Sequence, residues 1–325
     1  MKNYFFLFLI LLFAACGKGQ HAKNNTKSIQ IVNIPAFSAD SAYKYIQAQV
    51  DFGPRVPNTA GHRDCADYLI EKLKSFGAEV TEQRVDLKAF DGTMLKAVNI
   101  IGTFNPQASK RVLLFAHWDT RPWADNDPNP TNWNTPVLGA NDGASGVGIL
   151  LETARQLSIQ PTEIGIDILF FDAEDYGQPS EASPHIEDTW AMGSNYWSKH
   201  PHKPGYRANY GILLDMTGAP NATFMREAYS DYFAPHIVNK IWSTAESLGL
   251  SNYFRDERGG SILDDHYYIN VNTGIPCADI IQHDPTGATG FGHYWHTIND
   301  DMSNIDKNTL QAVGTTLLHV IYNEQ

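Results

Sequence analysis

Apolar positions along this chain fall into two patterns. Short, nearly unbroken runs at Lys110–Ala116, Ile166–Asp172, Tyr210–Asp215 and Cys277–Gln282 have the length and density of strands buried on both faces. Longer stretches with a 3.6-residue period surround them. Ser41–Val50 and Ala60–Phe76 predict amphipathic helices, the second stopped by Gly77. Val147–Leu157, Ala234–Leu248 and Lys307–Tyr322 predict three more, and Trp190–Lys199 a short one. Glu79–Leu87 and Met94–Phe104, on either side of an Asp91-Gly92 turn, read as an antiparallel pair. Strands alternating with helices predict an α/β chain: a three-layer α/β/α sandwich around a central mixed, mostly parallel β-sheet.

Two stretches follow neither pattern. Thr120–Pro136 and Gln178–Thr189 are rich in Pro and in acidic or amide residues, and each follows a candidate site residue. Long irregular loops in a compact domain are usually functional walls or lids, the alternative being a surface insertion without a role. Residues 36–325 contain neither a dividing linker nor an internal repeat, and read as a single domain.

The N-terminus is organised differently. Met1, Lys2 and Asn3 lead into the apolar run YFFLFLILLFAA, too short for a mature transmembrane span and laid out like a secretory signal. Phe13-Ala14-Ala15-Cys16 resembles a bacterial lipobox, with Phe13 in place of the usual aliphatic residue. Residues 1–15 are thus expected to be a lipoprotein signal peptide. Residues 16–35 would be a polar tether behind a lipidated Cys16, and the protein an exported periplasmic one held to a membrane only by that lipid. An ordinary cleaved signal, with Cys16 incidental, is the alternative.

Composition narrows the picture modestly. With 24 basic against 36 acidic residues the net charge is −12, and no basic stripe is present, which argues against a nucleic-acid partner. Beyond Cys16 only Cys65 and Cys277 remain. They lack metal-ligand spacing to each other, and in an exported protein they could pair.

The chemistry gathers where the apolar runs end. His117 and Asp119 follow RVLLFA, Glu174 and Asp175 follow IDILFF, and Asp215 follows YGILL; Asp142 lies in GANDGASG and His296 in GHYWHTINDD. The C-terminal ends of parallel strands open into the crevice where α/β proteins bind ligands. A lone His or Asp there is more often a hydrogen-bonded structural residue. Several His and carboxylate groups at several strand ends suggest one metal site of the kind that holds zinc.

The motifs AHWDT, GANDGASG, FFDAEDYG, LLDMTGA and YWHTINDD together resemble the M28 zinc-peptidase family, over a stretch from about Arg55 to Asp301. Within that family they are most similar to the glutaminyl-peptide cyclotransferases, acyltransferases also found as bacterial envelope lipoproteins. The resemblance implies a zinc aminopeptidase-like fold, peptides or proteins with N-terminal glutamine as partners, and one zinc ion held by Asp142, Asp175 and His296. It implies Glu174 as general acid/base, with Asp215 and Asp264 as further catalytic acids. Trp295, Trp190 and Asp279 would bind substrate, Asp264 and Asp279 sharing a hydrogen-bond network. His117 stands where peptidases place a ligand to a second metal, with Asp119 orienting it.

These residue types suit cyclisation of an N-terminal glutamine. Its protonated α-amine needs a base before it can attack its own γ-carbonyl, and its departing nitrogen needs an acid. A two-zinc aminopeptidase could use nearly the same residues. Asp175 after Glu174, Trp295 before His296 and the sequence Asp264-Asp265-His266 favour the cyclase. A non-catalytic surface binding module with this fold is a further alternative, which the retention of every ligand position and of Glu174 disfavours.

Overall fold

The structure, a computed structural model, describes Met1 and residues 33–324 apart from Ser180 and Pro285. The expected signal segment 1–15, Cys16 and most of the tether lie outside the described residues. From Ile34 onward the chain forms one compact unit.

Its centre is a six-stranded sheet. The strands are β1 (Glu79–Lys88), β2 (Met94–Phe104), β3 (Arg111–His117), β4 (Gly165–Phe171), β5 (Tyr210–Asp215) and β8 (Cys277–Ile281), in the order β1-β2-β4-β3-β5-β8. β1, β2 and β4 pair antiparallel, whereas β4, β3, β5 and β8 run parallel. The expected mixed, mostly parallel sheet is therefore present. Every residue of β3, β4, β5 and β8 is buried, as unbroken apolar runs require.

Helices cover both faces. Leu113, Phe115, Leu169, Phe171 and Leu213 point toward α4 (Met192–Lys199) and α7 (Asp265–Thr273), where Trp197 and Ile269 complete a buried cluster. On the opposite face lie α1 (Ala39–Val50), α2 (Ala60–Ser75), α3 (Ala144–Ile159) and α8 (Lys307–Tyr322), with α6 (Pro235–Ser247) against α8. A short helix, α5 (Ala228–Phe233), packs on β8, and β6 (Phe224–Arg226) pairs with β7 (Phe254–Arg258) outside the main sheet. No described helix is long and apolar enough to cross a membrane. Cys65 and Cys277 are both buried and free, so the disulfide left open by the sequence does not form.

Three departures from the predicted elements have local causes. α3 begins three residues earlier than its periodicity predicts, because Gly146 and Gly148 hide its first turn while permitting close packing. α7 has a helix-poor sequence, DHYYINVNT. It is held at one end by Asp264, whose side chain accepts from the Asp265 N–H, and ended by Gly274 at φ 69°. α4 starts at Met192 rather than Trp190, because Ala191 sits in the left-handed region at φ 49°.

Gly146 fixes how closely α3 approaches the sheet. A Cβ there would collide with the Leu214 carbonyl oxygen and stand 3.0 Å from Ala116 Cβ. Gly146→Ala is expected to destabilise the fold by about 1–3 kcal/mol through overpacking, read as a lowered urea midpoint at unchanged m-value.

Candidate metal centre and substrate cavity

Because β4, β3 and β5 are adjacent and parallel, their C-terminal ends bring His117, the Glu174-Asp175 pair and Asp215 together. Sharp turns aim these side chains. Ala173 (φ 53°), Met216 (φ 47°) and His296 (φ 55°) all occupy the left-handed region, which non-glycine residues adopt at a cost. Local hydrogen bonds hold the turns. The buried Asp119 carboxylate accepts from the backbone N–H groups of Glu174 (3.0 Å) and Asp175 (3.1 Å). Asp300 does the same for Asn141 (2.8 Å) and Asp142 (3.0 Å).

Three groups able to hold a cation lie among the described residues: two that share Asp142, and Asp264 with His266 and Asp279. In the first of the two that share Asp142, His296 Nε2 lies 3.2 Å from Asp175 Oδ1 and 3.6 Å from Asp142 Oδ2. In the second, His117 Nε2 lies 3.0 Å from Asp142 Oδ1 and 3.2 Å from Asp215 Oδ1. All five residues are buried. Burial, with the nearby Arg121 charge, pushes His296 down to about 3, so its imidazole is neutral as a ligand's must be. Burial and the neighbouring Asp142 charge push Asp175 well above the usual carboxylate range. Burial also opposes ionisation of Asp142, but hydrogen bonding to His117 and the His117 charge outweigh it and keep that carboxyl low.

Above the first group opens a cavity of about 340 Å³. Trp190, Trp295, Phe291, Met216, Ile262, Leu263 and Ile281 give it apolar walls, and Glu174, Asp215 and Asp264 project into it. Trp295 stacks on His296 at 3.6 Å between ring centroids, and Trp190 lies parallel to the same imidazole at 5.8 Å. Burial, reinforced by Asp264, Asp175 and Asp265 against the opposing charge of His117, raises Glu174 well above its ordinary range. Burial and the Asp215 charge bring Asp264 up to about 7.

Most residues singled out from sequence therefore converge. Asp279, expected to contact substrate, does not line this cavity. Its place on β8 turns it beneath the surface, fully buried, with Oδ2 3.8 Å from His266 Nδ1. Its backbone N–H is held by Ser230 Oγ (2.9 Å), and Ser230 in turn donates to Glu227 (2.8 Å). Glu227, Arg121, Asp125, Asp300 and the cavity residue His185 carry no signal in the sequence pattern. None follows an apolar run, and although Asp300 lies within YWHTINDD, nothing in that motif distinguishes it from Asp301 beside it.

Comparison with known proteins gives the lineage. The sequence profile of peptidase family M28 matches residues 99–321, more than half of the chain. The chain belongs to peptidase family M28. A Zn-dependent exopeptidase from Parabacteroides distasonis is 55% identical, with a TM-score of 0.89 over 90% of this chain and 100% of that one. The glutaminyl cyclase of Bacteroides thetaiotaomicron is 58% identical, with a TM-score of 0.88 and the same coverage. A glutaminyl-peptide cyclotransferase from Bos taurus is 25% identical over 304 residues, 81% of this chain and 76% of that protein.

The M28 donor set fits a zinc ion on its own chemistry. Asp175 Oδ1 is buried without a hydrogen-bond partner, and two carboxylates and a neutral imidazole converge on it. That is the N/O composition of catalytic zinc sites, and a cation removes the repulsion between Asp142 and Asp175. Asp119→Ala would free the backbone N–H groups that aim Glu174 and Asp175. It is expected to weaken zinc binding by about 10–100-fold, measured by competition with a chromogenic chelator.

Proposed function

We propose that this chain is a zinc-dependent glutaminyl-peptide cyclotransferase that converts N-terminal glutamine of peptides and proteins to pyroglutamate and releases ammonia. One observation carries the reading: a chain 58% identical to a bacterial glutaminyl cyclase over 90% of its length presents the Glu174 carboxyl beside a metal-capable triad in a tryptophan-walled cavity.

Asp142, Asp175 and His296 would hold one zinc ion. Bound there, zinc supplies Lewis acidity toward the γ-carbonyl oxygen of the substrate. The remaining work falls to the chain's own side chains. Glu174 takes a proton from the α-ammonium, which frees the amine to attack the γ-carbonyl carbon. As the new C–N bond closes the ring, Glu174 returns the proton to the departing nitrogen, the old C–NH2 bond breaks and ammonia leaves; the ionised Glu174 then takes the surplus proton from the ring nitrogen and passes it to solvent, where ammonia becomes ammonium. A carboxyl raised by a dry, negative setting is suited to both transfers. Asp215 and Asp264 accept hydrogen bonds from the α-amine and hold it toward Glu174. Trp190, Trp295 and Phe291 exclude water and fold the glutamine side chain back on itself, so that the intramolecular attack is favoured by position.

A second reading has a specific observation behind it. His117, Asp142 and Asp215 form another metal-capable group sharing Asp142, as a two-zinc exopeptidase would need. The two reactions leave different products. With a Gln-initiated peptide, ammonia release without loss of a residue is expected, whereas free glutamine would mark an aminopeptidase. Bound metal is expected at one zinc per chain. Glu174→Gln should keep zinc and fold while turnover drops by about 10²–10⁴-fold; activity within a few-fold of the parent would remove Glu174 from this role.

Export and anchoring are part of the same proposal. The Lys2-led apolar run ending in Phe13-Ala14-Ala15-Cys16 supports cleavage before Cys16 and its acylation. Expressed in its bacterial envelope, Cys16→Ser is expected to move the protein from the detergent phase to the aqueous phase in Triton X-114 partitioning. Equal partitioning of both forms would dismiss the anchor.

A further inference from the structure

The proposed reaction uses none of the buried arginines, and one of them, Arg121, touches several parts of the site. Arg121 lies in the irregular loop after β3 and is 1% exposed. Its Nε and Nη2 both donate to the Asp125 carboxylate, at 2.6 Å each. Its Nη1 donates to the backbone carbonyls of Asp175 (3.1 Å) and Gly177 (3.2 Å), in the loop after β4. The guanidinium carbon stands 4.6 Å from the ring centroid of Trp190. One planar group thus spans two loops and a wall of the cavity.

Each contact leads to a different part of the site. Asp125 Oδ1 lies 3.6 Å from His296 Nδ1, the ring nitrogen that does not face Asp142 and Asp175. The same loop holds His296 by its backbone, since the Asn126 N–H donates to the His296 carbonyl at 3.1 Å. Gly177 governs the other part. A Cβ there would fall inside the Trp190 indole, so the ring rests directly on the Gly177 backbone whose carbonyl Arg121 holds.

We propose that Arg121 is a positioning residue with two arms. Through Asp125 it orients the His296 imidazole for zinc, and through Gly177 and the face of Trp190 it fixes the wall against which the glutamine side chain folds. A carboxylate behind a ligating histidine sets ring orientation and raises ligand basicity. Fixing that carboxylate while holding two carbonyls needs the rigid five-donor fork of arginine, which the point charge of lysine does not reproduce. This assignment rests on reading the site as the zinc site of a glutaminyl cyclase.

Three variants of the full-length holoenzyme separate the arms, with zinc affinity read by chelator competition and kcat and KM by ammonia release from a Gln-initiated peptide. Asp125→Asn should weaken zinc by about 10–100-fold and leave KM close to the parent value when zinc is saturating. Gly177→Ala should raise KM several-fold and leave zinc affinity unchanged. Arg121→Lys should do both. If Arg121→Lys and Asp125→Asn each keep zinc affinity and KM within about twofold of the parent, the proposal is overturned. It is overturned equally if all three variants lose kcat alone. Zinc affinity is read without turnover. A parent that binds zinc but forms no pyroglutamate refutes the cyclase reading, while weakened zinc binding in Asp125→Asn still supports the His296 arm. A parent that binds no zinc overturns both.

Discussion

Crowded, buried carboxylates at the ends of three adjacent parallel strands set the terms for the rest of the molecule. Asp119, Asp142, Asp175, Asp215, Asp264, Asp265, Asp279 and Asp300 are all buried, with few cations among them. Two like charges 4 Å apart repel by about 4 kcal/mol even at an effective dielectric of 20. Such crowding is tolerable only if some groups stay protonated, some are hydrogen-bonded and some share a metal cation. Residues for the first two arrangements can be named. Asp119 and Asp300 are each spent on a pair of backbone N–H groups, and Asp264 and Asp279 are held above their usual range mainly by burial, then by neighbouring charge. The carboxylates facing His296 leave room for the third.

The apolar sheet and its two helix layers make that concentration of charge affordable. β3, β4, β5 and β8 are buried along their whole length, and Trp197, Phe115 and Phe171 pack between the sheet and α4. α3 starts directly after Asp142 and Gly143, and a Cβ on Gly143 would stand 2.9 Å from the His117 ring. The position of the metal-capable triad is therefore tied to how closely α3 sits against β3 and β5, well inside the core.

Period and run length made the sheet legible in the sequence, because strands buried on both faces leave no ambiguity about where polar residues resume. The groups His117, Glu174, Asp175 and Asp215 could be found for that reason: each stands at or just beyond the point where an apolar run stops. What the sequence could not carry was lateral information. Asp279 also lies in such a run, yet its position within β8 buries it beneath Asp264 rather than in the cavity wall. Arg121, Asp125 and Glu227 act through partners distant in the chain or in loops without period, so no local pattern marks them. α7 leaves no periodic signal because its stability comes from a cap and from packing, not from helix-favouring residues.

The order of the donors along the chain bears on how the protein matures. Asp142 and Asp175 come from the middle of the sequence, whereas His296 is supplied more than a third of the chain later, ahead of α8. A chain that stops before that histidine has the two carboxylates of this triad but lacks its imidazole. The metal-capable triad is consequently complete only once the final loop takes its left-handed turn at His296, a loop that no disulfide among the described residues secures. A cation held there would therefore tie the last loop of the chain to the loops after β3 and β4, a cross-link made without a covalent bond.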